Sequence, residues 1–328
     1  MNQQQQVSGG FGNSFQSEDT IVSDSFDFDD YLMESSMFNY DQLKGMPNYR
    51  VKKYSDAIYR GQYFDGKRHG QGIMIYHNNR VFEGDWINDL RNGKGYERYQ
   101  NGNTYEGDFV NGKAHGKGVY TWQNGEIYDG EWRNGVKEGY GIWKGTCGDS
   151  YIGEWKKSKA DGYGVHQWKN GDRYEGEWHN CLKHGQGTDI FINGDQYSGQ
   201  YKEGKPDGLG QYIWSNGSIY IGQFKQGLKH GKGRWRKLQN AKSCNHYDGE
   251  YQIDRKNGFG IFTWESGNYY KGNYLNDERH GNGEMFWIDG SHYQGKWKQG
   301  IQDGYGIMIF PDGSSKEGMF RDNVYVGS

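Results

Sequence analysis

The sequence is poor in several residue types, and each shortage excludes a class of protein. The 328 residues include only three prolines and three cysteines. The cysteines, Cys147, Cys181 and Cys244, form no C-x-x-C pair, so we expect free thiols in a reducing compartment. No apolar run reaches the roughly 18 residues of a membrane span. The opening MNQQQQVSGG lacks the basic and apolar regions of a signal peptide, and together these features predict a cytoplasmic protein.

Aliphatic residues are also scarce, whereas glycine and aromatic residues are abundant. Hydrophobic residues make up 33% of the chain, below the usual ~45–50%. Glycine accounts for 55 residues, and aromatic side chains for 17%. This composition does not suit an ordinary globular core. It favours a thin sheet in which aromatic rings pack over bare backbone.

Charge is distributed unevenly along the chain. Residues 1–48 contain eight acids and one base, a net charge of −7 against −3 for the whole chain, so the remainder carries +4. A nucleic-acid-binding domain usually has a pI above ~9. Nucleic acid is therefore not a predicted partner.

One sequence unit recurs through most of the chain. An aromatic residue followed by x-Gly-x-aromatic begins at residues 59, 82, 105, 128, 151, 174, 197, 220, 247, 270 and 293, which start repeats 1 to 11. The spacing is 23 residues except for 27 between 220 and 247. Counting the first aromatic as position 0, positions 2, 11 and 13 are glycine in every repeat. The chain is therefore predicted to hold eleven tandem structural units over residues 59–315.

The pattern within a unit has the period of two that is typical of strands. In repeat 3, Tyr105, Gly107 and Phe109 share one face, and Gly116, Gly118 and Trp122 form a second such set. Asn111-Gly112 begins a loop, and Asn124-Gly125 predicts a type I′ turn, in which both residues have positive φ. The same repeat core in repeat 6 comprises Tyr174, Gly176, Trp178, Gly185 and Gly187.

Glycine within a strand normally weakens it, so its regular placement needs a cause. We expect one explanation for positions 2, 11 and 13, namely that each glycine bares backbone for a neighbouring ring to cover. The predicted fold is all-β, an elongated single-layer antiparallel sheet of tandem β-hairpins. Residues 49–58 are predicted to cap its start, and residues 316–328 form a partial repeat or cap at its end.

The first 48 residues differ from the repeats. Their polar, acidic composition predicts a disordered tail. Within it, Phe26, Phe28 and Tyr31 belong to an acidic–aromatic stretch at residues 24–38. Two interpretations stay open for this stretch, a solvated tail and a short partner-binding motif.

The polar residues that recur in the repeats fit structural roles better than chemical sites. Histidine recurs at position 10 in five repeats, but other repeats carry Asn, Glu or Asp there, so a loop-end hydrogen-bonding role is favoured over a zinc site. Acids recur at positions 1 and 3, whereas a catalytic carboxylate pair is a singular feature. No phosphate-loop motif is present. We therefore predict no enzyme activity, no cofactor and no metal.

The four-residue insertion in repeat 8 is the most basic irregular segment. It brings together the candidate contact residues Arg234, Trp235, Arg236, Lys237 and Lys242. These residues could contact anionic lipid or an acidic partner. The alternative is a simple elongated loop.

The repeat resembles the MORN (membrane occupation and recognition nexus) repeat. The resemblance rests on Tyr105-Glu-Gly-Asp-Phe, followed by His115-Gly-Lys-Gly and Asn124-Gly125, in eleven copies. Repeats 4 and 8 depart from it, with Gly145 and Lys237 at position 17. The resemblance implies a twisted, grooved rod that acts as a scaffold, tether or dimerising module.

From this resemblance we expect a non-enzymatic protein-interaction scaffold in a cytoskeletal or ciliary assembly, similar to the radial-spoke MORN proteins of the axoneme. The expected partners are cytoskeletal or axonemal proteins, with homodimerisation through the sheet ends or the groove as a further expectation. The alternatives are a peripheral phosphoinositide-binding tether and a regulatory subunit that acts in trans on an enzyme.

Overall fold

The computed structural model describes residues 37–238 and 244–327, and almost all of them lie in antiparallel β-strands. The described residues form two compact units, one ending at Lys159 and the other beginning at Ala160. Within each unit, every strand pairs with the next one along the chain, as β6 with β7 and β7 with β8. The predicted all-β fold, an open antiparallel sheet of tandem hairpins, is confirmed.

The N-terminal unit begins with a short helix followed by ten strands. Their bounds are α1 Tyr40–Lys44, β1 Tyr49–Lys53, β2 Ala57–Phe64, β3 Lys67–Tyr76, β4 Val81–Ile87, β5 Leu90–Arg98, β6 Thr104–Val110, β7 Lys113–Thr121, β8 Ile127–Arg133, β9 Val136–Lys144 and β10 Ser150–Lys156.

The C-terminal unit contains the remaining fifteen strands, of which the first begins at the last residue of the N-terminal unit. Their bounds are β11 Lys159–Gln167, β12 Arg173–His179, β13 Leu182–Ile190, β14 Gln196–Lys202, β15 Lys205–Ile213, β16 Ile219–Lys225, β17 Leu228–Arg236, β18 His246–Gln252, β19 Arg255–Thr263, β20 Tyr269–Leu275, β21 Glu278–Phe286, β22 His292–Lys298, β23 Ile301–Ile309, β24 Ser315–Arg321 and β25 Val324–Gly327.

The two turns of each repeat are the reverse of the sequence prediction. Asn111 and Gly112 both have positive φ (51° and 81°), so the two-residue turn of type I′ geometry joins β6 to β7. At the predicted I′ site only Gly125 has positive φ, and its N–H donates to Trp122 O at 2.8 Å. Asn124 instead accepts a hydrogen bond from Glu126 N through its side chain. The I′ prediction at 124–125 was therefore wrong, because the asparagine there acts through its side chain.

The glycines at positions 2 and 13 have the predicted role. Gly107 lies opposite Gly118 in the β6–β7 pair, and a Cβ on Gly107 would come 2.5 Å from Gly118 Cα. A Cβ on Gly118 would lie 2.6 Å from Cε2 of Tyr105, whose ring covers this backbone. Only glycine leaves room for both the strand pair and the ring.

Position 11 has a different cause, so the single explanation for all three glycines was wrong. Gly116 has φ +60°, a left-handed conformation that favours glycine. It lies where the β6–β7 register shifts between Gly107 and Asp108. The position-11 glycine therefore serves a β-bulge rather than a ring.

The strands alternate their side chains between two faces. Positions 0, 4, 9, 15 and 17 point to what we call the inner face, because Tyr105 at position 0 pairs with Tyr120 at position 15, and Phe109 at position 4 with Ala114 at position 9. Positions 1, 12, 14 and 16 point to the opposite, outer face, which also carries position 3. Nearly all fully buried large side chains belong to position 0 of the inner face.

Helix α1 packs on the outer face of repeat 1, so ordered structure begins before the predicted tail boundary at residue 48. Asn39 caps the helix by accepting a hydrogen bond from Asp41 N at 3.0 Å. Leu43 is fully buried against Ile73, Ile75 and Val81. Residues 1–36, which include Phe26, Phe28 and Tyr31, lie outside the described residues.

The two ends of the chain extend the repeat pattern. β1, within the predicted cap at 49–58, pairs with β2. At the other end, β24 and β25 form a partial hairpin. Phe320 there occupies position 4 and contacts Tyr293 of repeat 11 edge-to-face, with ring centres 5.0 Å apart.

Candidate partner-binding face

A ladder of buried rings forms the floor of the inner face. Tyr105 meets Phe109 of its own repeat at 5.0 Å and 90°, and Trp132 of the next repeat at 5.2 Å and 83°. The same edge-to-face arrangement links Tyr174 with Trp178 and Tyr201 in the C-terminal unit. Such pairs contribute about 0.5–1.5 kcal/mol each beyond burial. The ladder therefore joins each repeat to its neighbour within a unit.

The polar ends of these rings bond to the backbone. Tyr105 Oη donates to Asp108 O at 2.9 Å, and Trp132 Nε1 donates to Gly118 O at 2.9 Å. Burial raises the pKa of the position-0 tyrosines, that of Tyr293 to about 12. These phenols are thus neutral at physiological pH and act as structural donors.

Cations at position 9 cover the ladder in several repeats. Lys183 Nζ lies 4.8 Å from the ring centres of both Trp168 and Tyr174. It also pairs with Asp189 Oδ1 at 2.5 Å, while Tyr201 Oη donates to Asp189 Oδ2 at 2.7 Å. The ammonium balances the charge of the buried carboxylate, the phenol adds a hydrogen bond, and the ammonium lies between aromatic faces.

The N-terminal unit repeats this arrangement with different residues. Arg91 and Arg80 both pair with the buried carboxylate of Glu97. Lys137 Nζ lies 4.4 Å from the ring centre of Trp155. Charged side chains on the inner face are therefore paired or enclosed by rings in both units.

Where position 9 is small, a ring from position 15 takes the place of the cation. Ala114 is the position-9 residue of repeat 3, and Tyr120 at position 15 lies 6.0 Å from Trp132. His166 lies at the same distance from Trp178 in repeat 5, where position 9 is Ala160. The floor rings Trp132 and Trp178, each in the following repeat, are thus covered by a second ring.

Above the buried floor runs a row of half-buried aromatic side chains at position 17. In the C-terminal unit the row comprises Trp168, Phe191, Trp214, Trp264, Trp287 and Phe310. We call this set of position-17 side chains the aromatic row. We call the half-buried lysines that lie among rings at position 9, Lys183, Lys229 and Lys256, the caged lysines. The aromatic row and the caged lysines are the part of the inner face that a partner can touch.

The role of the position-9 cations was not predicted, although the sequence carries a signal for it. Position 9 alternates between a small residue and lysine over repeats 3 to 8, as Ala114, Lys137, Ala160, Lys183, Pro206 and Lys229. A position that faced solvent in every repeat would have no reason to alternate in this way. It indicates that position 9 faces the ring ladder.

Comparison with family models decides the family. The model described as "MORN repeat" matches residues 59–79, 82–104, 105–127, 128–148, 151–173, 174–196, 197–219, 220–236, 247–269, 270–292 and 293–315. The chain belongs to the MORN-repeat family. The matches to repeats 1, 4 and 8 stop short of the full unit, at residues 79, 148 and 236, and repeats 4 and 8 are the two whose sequence departs from the pattern.

Comparison with curated proteins found no match. Among solved structures, the Drosophila melanogaster SAS-4 (dCPAP) TCP domain, in complex with a proline-rich motif of Ana2, has 12% identity and a TM-score of 0.32, covering 54% of this chain and 94% of that one. The TCP10 domain of Danio rerio CPAP, in complex with a STIL peptide, has 11% identity and a TM-score of 0.30, covering 83% and 99%. These TM-scores are too low to contribute to the functional assignment.

The recurring acids of the MORN repeats have structural roles. At position 3, Asp108 Oδ2 accepts from Lys117 N at 3.1 Å, and Glu177 Oε1 accepts from Gln186 N at 2.8 Å. Both acceptors satisfy backbone at the bulge next to position 11. At position 10, Asp161 Oδ2 accepts from Asn180 N at 3.1 Å. The predicted hydrogen-bonding role of position 10 is therefore confirmed.

The candidate contact residues of repeat 8 that the structure describes do not all lie on one face. Arg234 lies on the outer face and pairs with Asp248 of β18 at 2.6 Å. Trp235, at position 15, lies on the inner face, where it pairs with Tyr247 across the strands. Arg236 returns to the outer face, and Lys237 is exposed at the end of β17. Lys242 lies outside the described residues.

Two features are absent from residues 37–238 and 244–327. No three His, Cys, Asp or Glu side chains in these ranges are grouped so that they could hold a metal ion. No helix in these ranges is long and apolar enough to cross a membrane.

Proposed function

We propose that this MORN-repeat protein is a non-catalytic scaffold whose inner face binds a segment of a partner protein. The observation that carries the proposal is the aromatic row with its caged lysines. Half-buried Trp side chains and flanking cations are typical of peptide-binding surfaces, since rings provide rigid contact area at small entropic cost. The repetition of this surface along a unit suits an extended partner segment.

The chemistry of the face also identifies the kind of segment it would take. Lys183, Lys229 and Lys256 lie among rings of the C-terminal unit, each within 6 Å of two or more ring centres. A partner with apolar or aromatic side chains would pack on the aromatic row. Acidic side chains at intervals would meet Lys229 first, since Lys183 is already paired with Asp189 and Lys256 lies 4.0 Å from Asp277. We therefore propose an acidic, aromatic-containing peptide as the ligand class.

The proposed setting is a cytoskeletal or ciliary assembly, which rests on the resemblance to axonemal MORN scaffolds. The experiment is localisation of a tagged full chain in its native cell, followed by affinity purification. We expect the tag on a cytoskeletal or axonemal structure, with proteins of that structure recovered. A diffuse tag and recovery of none of these proteins would contradict the proposed setting.

A peripheral membrane tether is the second candidate, and the basic segment of repeat 8 is the observation that favours it. We expect this role to be the weaker one, because Arg234 is already paired with Asp248, and Lys237, at position 17, belongs to the opposite face from Arg234 and Arg236. Liposome flotation with anionic lipids at physiological salt separates the candidates. Stable flotation that is lost when Arg234, Arg236, Lys237 and Lys242 are neutralised would make the tether the better proposal.

A regulatory subunit acting in trans would use the same inner face. It differs from a pure scaffold only in what the partner does. Assay of any enzyme recovered with the chain, with and without the chain added back, distinguishes these two roles. A change in turnover on adding the chain would indicate regulation.

A further inference from the structure

The first and last MORN repeats share a pattern on the outer face that no other repeat has. Only repeats 1 and 11 carry isoleucine at both position 14 and position 16, as Ile73 and Ile75, and as Ile307 and Ile309. In both cases position 1 of the following unit is a glutamate, Glu83 or Glu317. Two similar apolar surfaces, each beside a glutamate, therefore lie one in each unit, although Glu317 Oε1 already accepts from Tyr305 Oη at 2.7 Å.

In the N-terminal unit this surface is covered by the chain itself. The cover segment, residues 37–46, places Leu43 on Ile73 and Ile75, with Phe38 and Met46 packed around them. Ile73 is fully buried as a result, and Ile75 is 6% exposed. The N–H of Met37 donates to Glu83 Oε2 at 2.6 Å.

In the C-terminal unit the equivalent surface is bare. Ile309 is 40% exposed, and its neighbours Tyr305 and Met319 are 55% and 47% exposed. A depression of about 350 Å³ opens on the same face, lined by Phe259, Lys271, Glu284 and Gln294 among others. Of the aliphatic pair that repeat 1 buries, Ile309 is thus exposed and Ile307 only half-buried in repeat 11, beside room for a ring.

The chain carries a second segment similar to the cover segment. Phe26-Asp-Phe28-Asp-Asp-Tyr31 aligns with Phe38-Asn-Tyr40-Asp-Gln-Leu43, twelve residues later. The two apolar contact positions, five residues apart, are Phe26 and Tyr31 in one and Phe38 and Leu43 in the other. The counterpart of Met46 is Glu34, with Met33 beside it. We call residues 26–33 the upstream segment.

Charge separates the two outer surfaces that the upstream segment could meet. Residues 24–34 carry five acids and no base. Summed over positions 1, 3, 12, 14 and 16, repeats 2 and 3 together carry a net charge of −1, whereas repeats 10 and 11 together carry +1. The difference arises at positions 1 and 3, which are Glu83, Asp85, Glu106 and Asp108 in the first pair and Lys271, Asn273, Gln294 and Lys296 in the second.

We propose that the outer face of repeat 11, centred on Ile307 and Ile309, binds the upstream segment of a second copy of this chain. Phe26 and Tyr31 pack on the isoleucine pair as Phe38 and Leu43 do on Ile73 and Ile75. Lys271 and Lys296 meet the acids. Within its own chain Tyr31 lies at most about 22 Å, and Phe26 at most about 40 Å, from Met37. Met37 is held at Glu83, beside outer positions that lack the net positive charge of repeats 10 and 11. The contact is heterologous, so copies associate head to tail.

The test uses the full chain and two sets of substitutions that spare the fold. Phe26→Ala with Tyr31→Ala alters the segment. Ile307→Gln with Ile309→Thr alters the face, and these residues already occupy the same positions elsewhere, as Gln211 and Thr121. Ile261→Gln, at a 36% exposed position 14 in repeat 9, is the matched control. The measurement is sedimentation velocity over a concentration series.

We expect the unaltered chain and the Ile261→Gln control to associate with rising concentration, and both altered chains to associate at least about tenfold more weakly. Raising the salt concentration should weaken the association, because part of it is electrostatic. Mixing the two altered chains should give a 1:1 dimer that grows no further, since one supplies an intact face and the other an intact segment.

Three results would overturn the proposal. The unaltered chain could remain monomeric throughout the series, or the control could lose association as fully as the altered chains. The mixture could also fail to form the 1:1 dimer, which would mean that the upstream segment docks within its own chain. Circular dichroism of each variant, compared with the unaltered chain, shows that lost association is not lost folding.

Discussion

The inner and outer faces of the same strands are built on different principles. The inner face buries a ring at position 0 in every repeat and bonds the position-0 tyrosines to backbone. Apart from the exposed Lys237, the charged side chains described for this face lie between rings or in ion pairs. The outer face leaves large side chains such as Tyr163 and Leu209 half exposed or more. Stability therefore resides mainly on the inner face, and the residues of the outer face can vary from repeat to repeat.

Removing one ring from each face tests most directly whether the two faces contribute differently to stability. Tyr174→Ala deletes a fully buried ring that contacts Trp178 and Tyr201, and should lower the free energy of unfolding of the C-terminal unit by about 3–5 kcal/mol. Tyr163→Ala, on the outer face and 50% exposed, should cost about 0.5 kcal/mol or less. Urea denaturation measures both. Equal losses would contradict the division between the faces.

The buried ion pair gives the next largest effect. Lys183→Met removes the cation that pairs with Asp189, and leaving that carboxylate buried without its cation should cost about 3 kcal/mol. Adding Asp189→Met, which gives position 15 the residue that Met285 provides in repeat 10, should recover most of the loss. The same denaturation experiment applies. A double variant no more stable than Lys183→Met would mean that the pair does not explain the loss.

Two glycine substitutions in repeat 3 compare a glycine that lies under a ring with one that lies in a turn. Gly118→Ala puts a methyl group into the ring of Tyr105 and should cost about 1–3 kcal/mol. Gly112→Asn changes a glycine with no atom near its missing Cβ, at a position where Asn323 already has positive φ, and should cost less than about 1 kcal/mol. Thermal unfolding followed by circular dichroism compares them. If Gly112→Asn proved the more damaging, turn geometry would outweigh ring packing.

The smallest predicted effect concerns the covered part of the outer face. Burial raises the pKa of Glu83 to about 7, although the Met37 N–H and Arg98 favour its charged form. Because the folded-state pKa is raised, its contribution to stability is full below about 4.5 and is lost as pH rises through about 7. Amide hydrogen exchange of residues 37–44 should therefore quicken between pH 5 and about 8, after correction for intrinsic rates.

Glu83→Gln provides the control for that titration. The amide oxygen still accepts from Met37 N, and it has no proton to lose, so the corrected exchange should become independent of pH. A variant that retained the pH dependence of the unaltered chain would show that another group controls the cover segment.

Much of the fold follows from the repeat itself. The fixed glycines at positions 2 and 13, with aromatic residues two away, are enough to predict strands and ring-over-backbone packing. The Asn-Gly pairs predict turns, but the sequence cannot tell 111–112 from 124–125, because asparagine favours both positive φ and side-chain capping. The bulge at Gly116 was missed, since its glycine has the same two-residue spacing as a strand glycine.

The candidate site was less accessible to sequence reasoning. A lysine at position 9 carries no sign of whether it points to solvent or to a ring, and only pairing across strands shows that Lys183 meets Asp189 and Trp168. The packing of residues 37–46 on repeat 1 was also missed, because Phe38 and Leu43 stand in a polar, acidic stretch. Three apolar side chains are enough to anchor a segment whose average composition predicts disorder.

Binding of a partner protein by the inner face can be tested directly. The most direct measurement is quantitative affinity purification from the native cell with two matched triple variants. One changes Trp168, Trp214 and Trp264 of the aromatic row to Ser, and the other changes the outer-face residues Tyr163, Leu209 and Phe259 to Ser, with folding checked by circular dichroism. We predict that the inner-face variant loses the partners that the unaltered chain recovers, while the outer-face variant keeps them. Loss with the outer-face variant and retention with the inner-face variant would contradict the account.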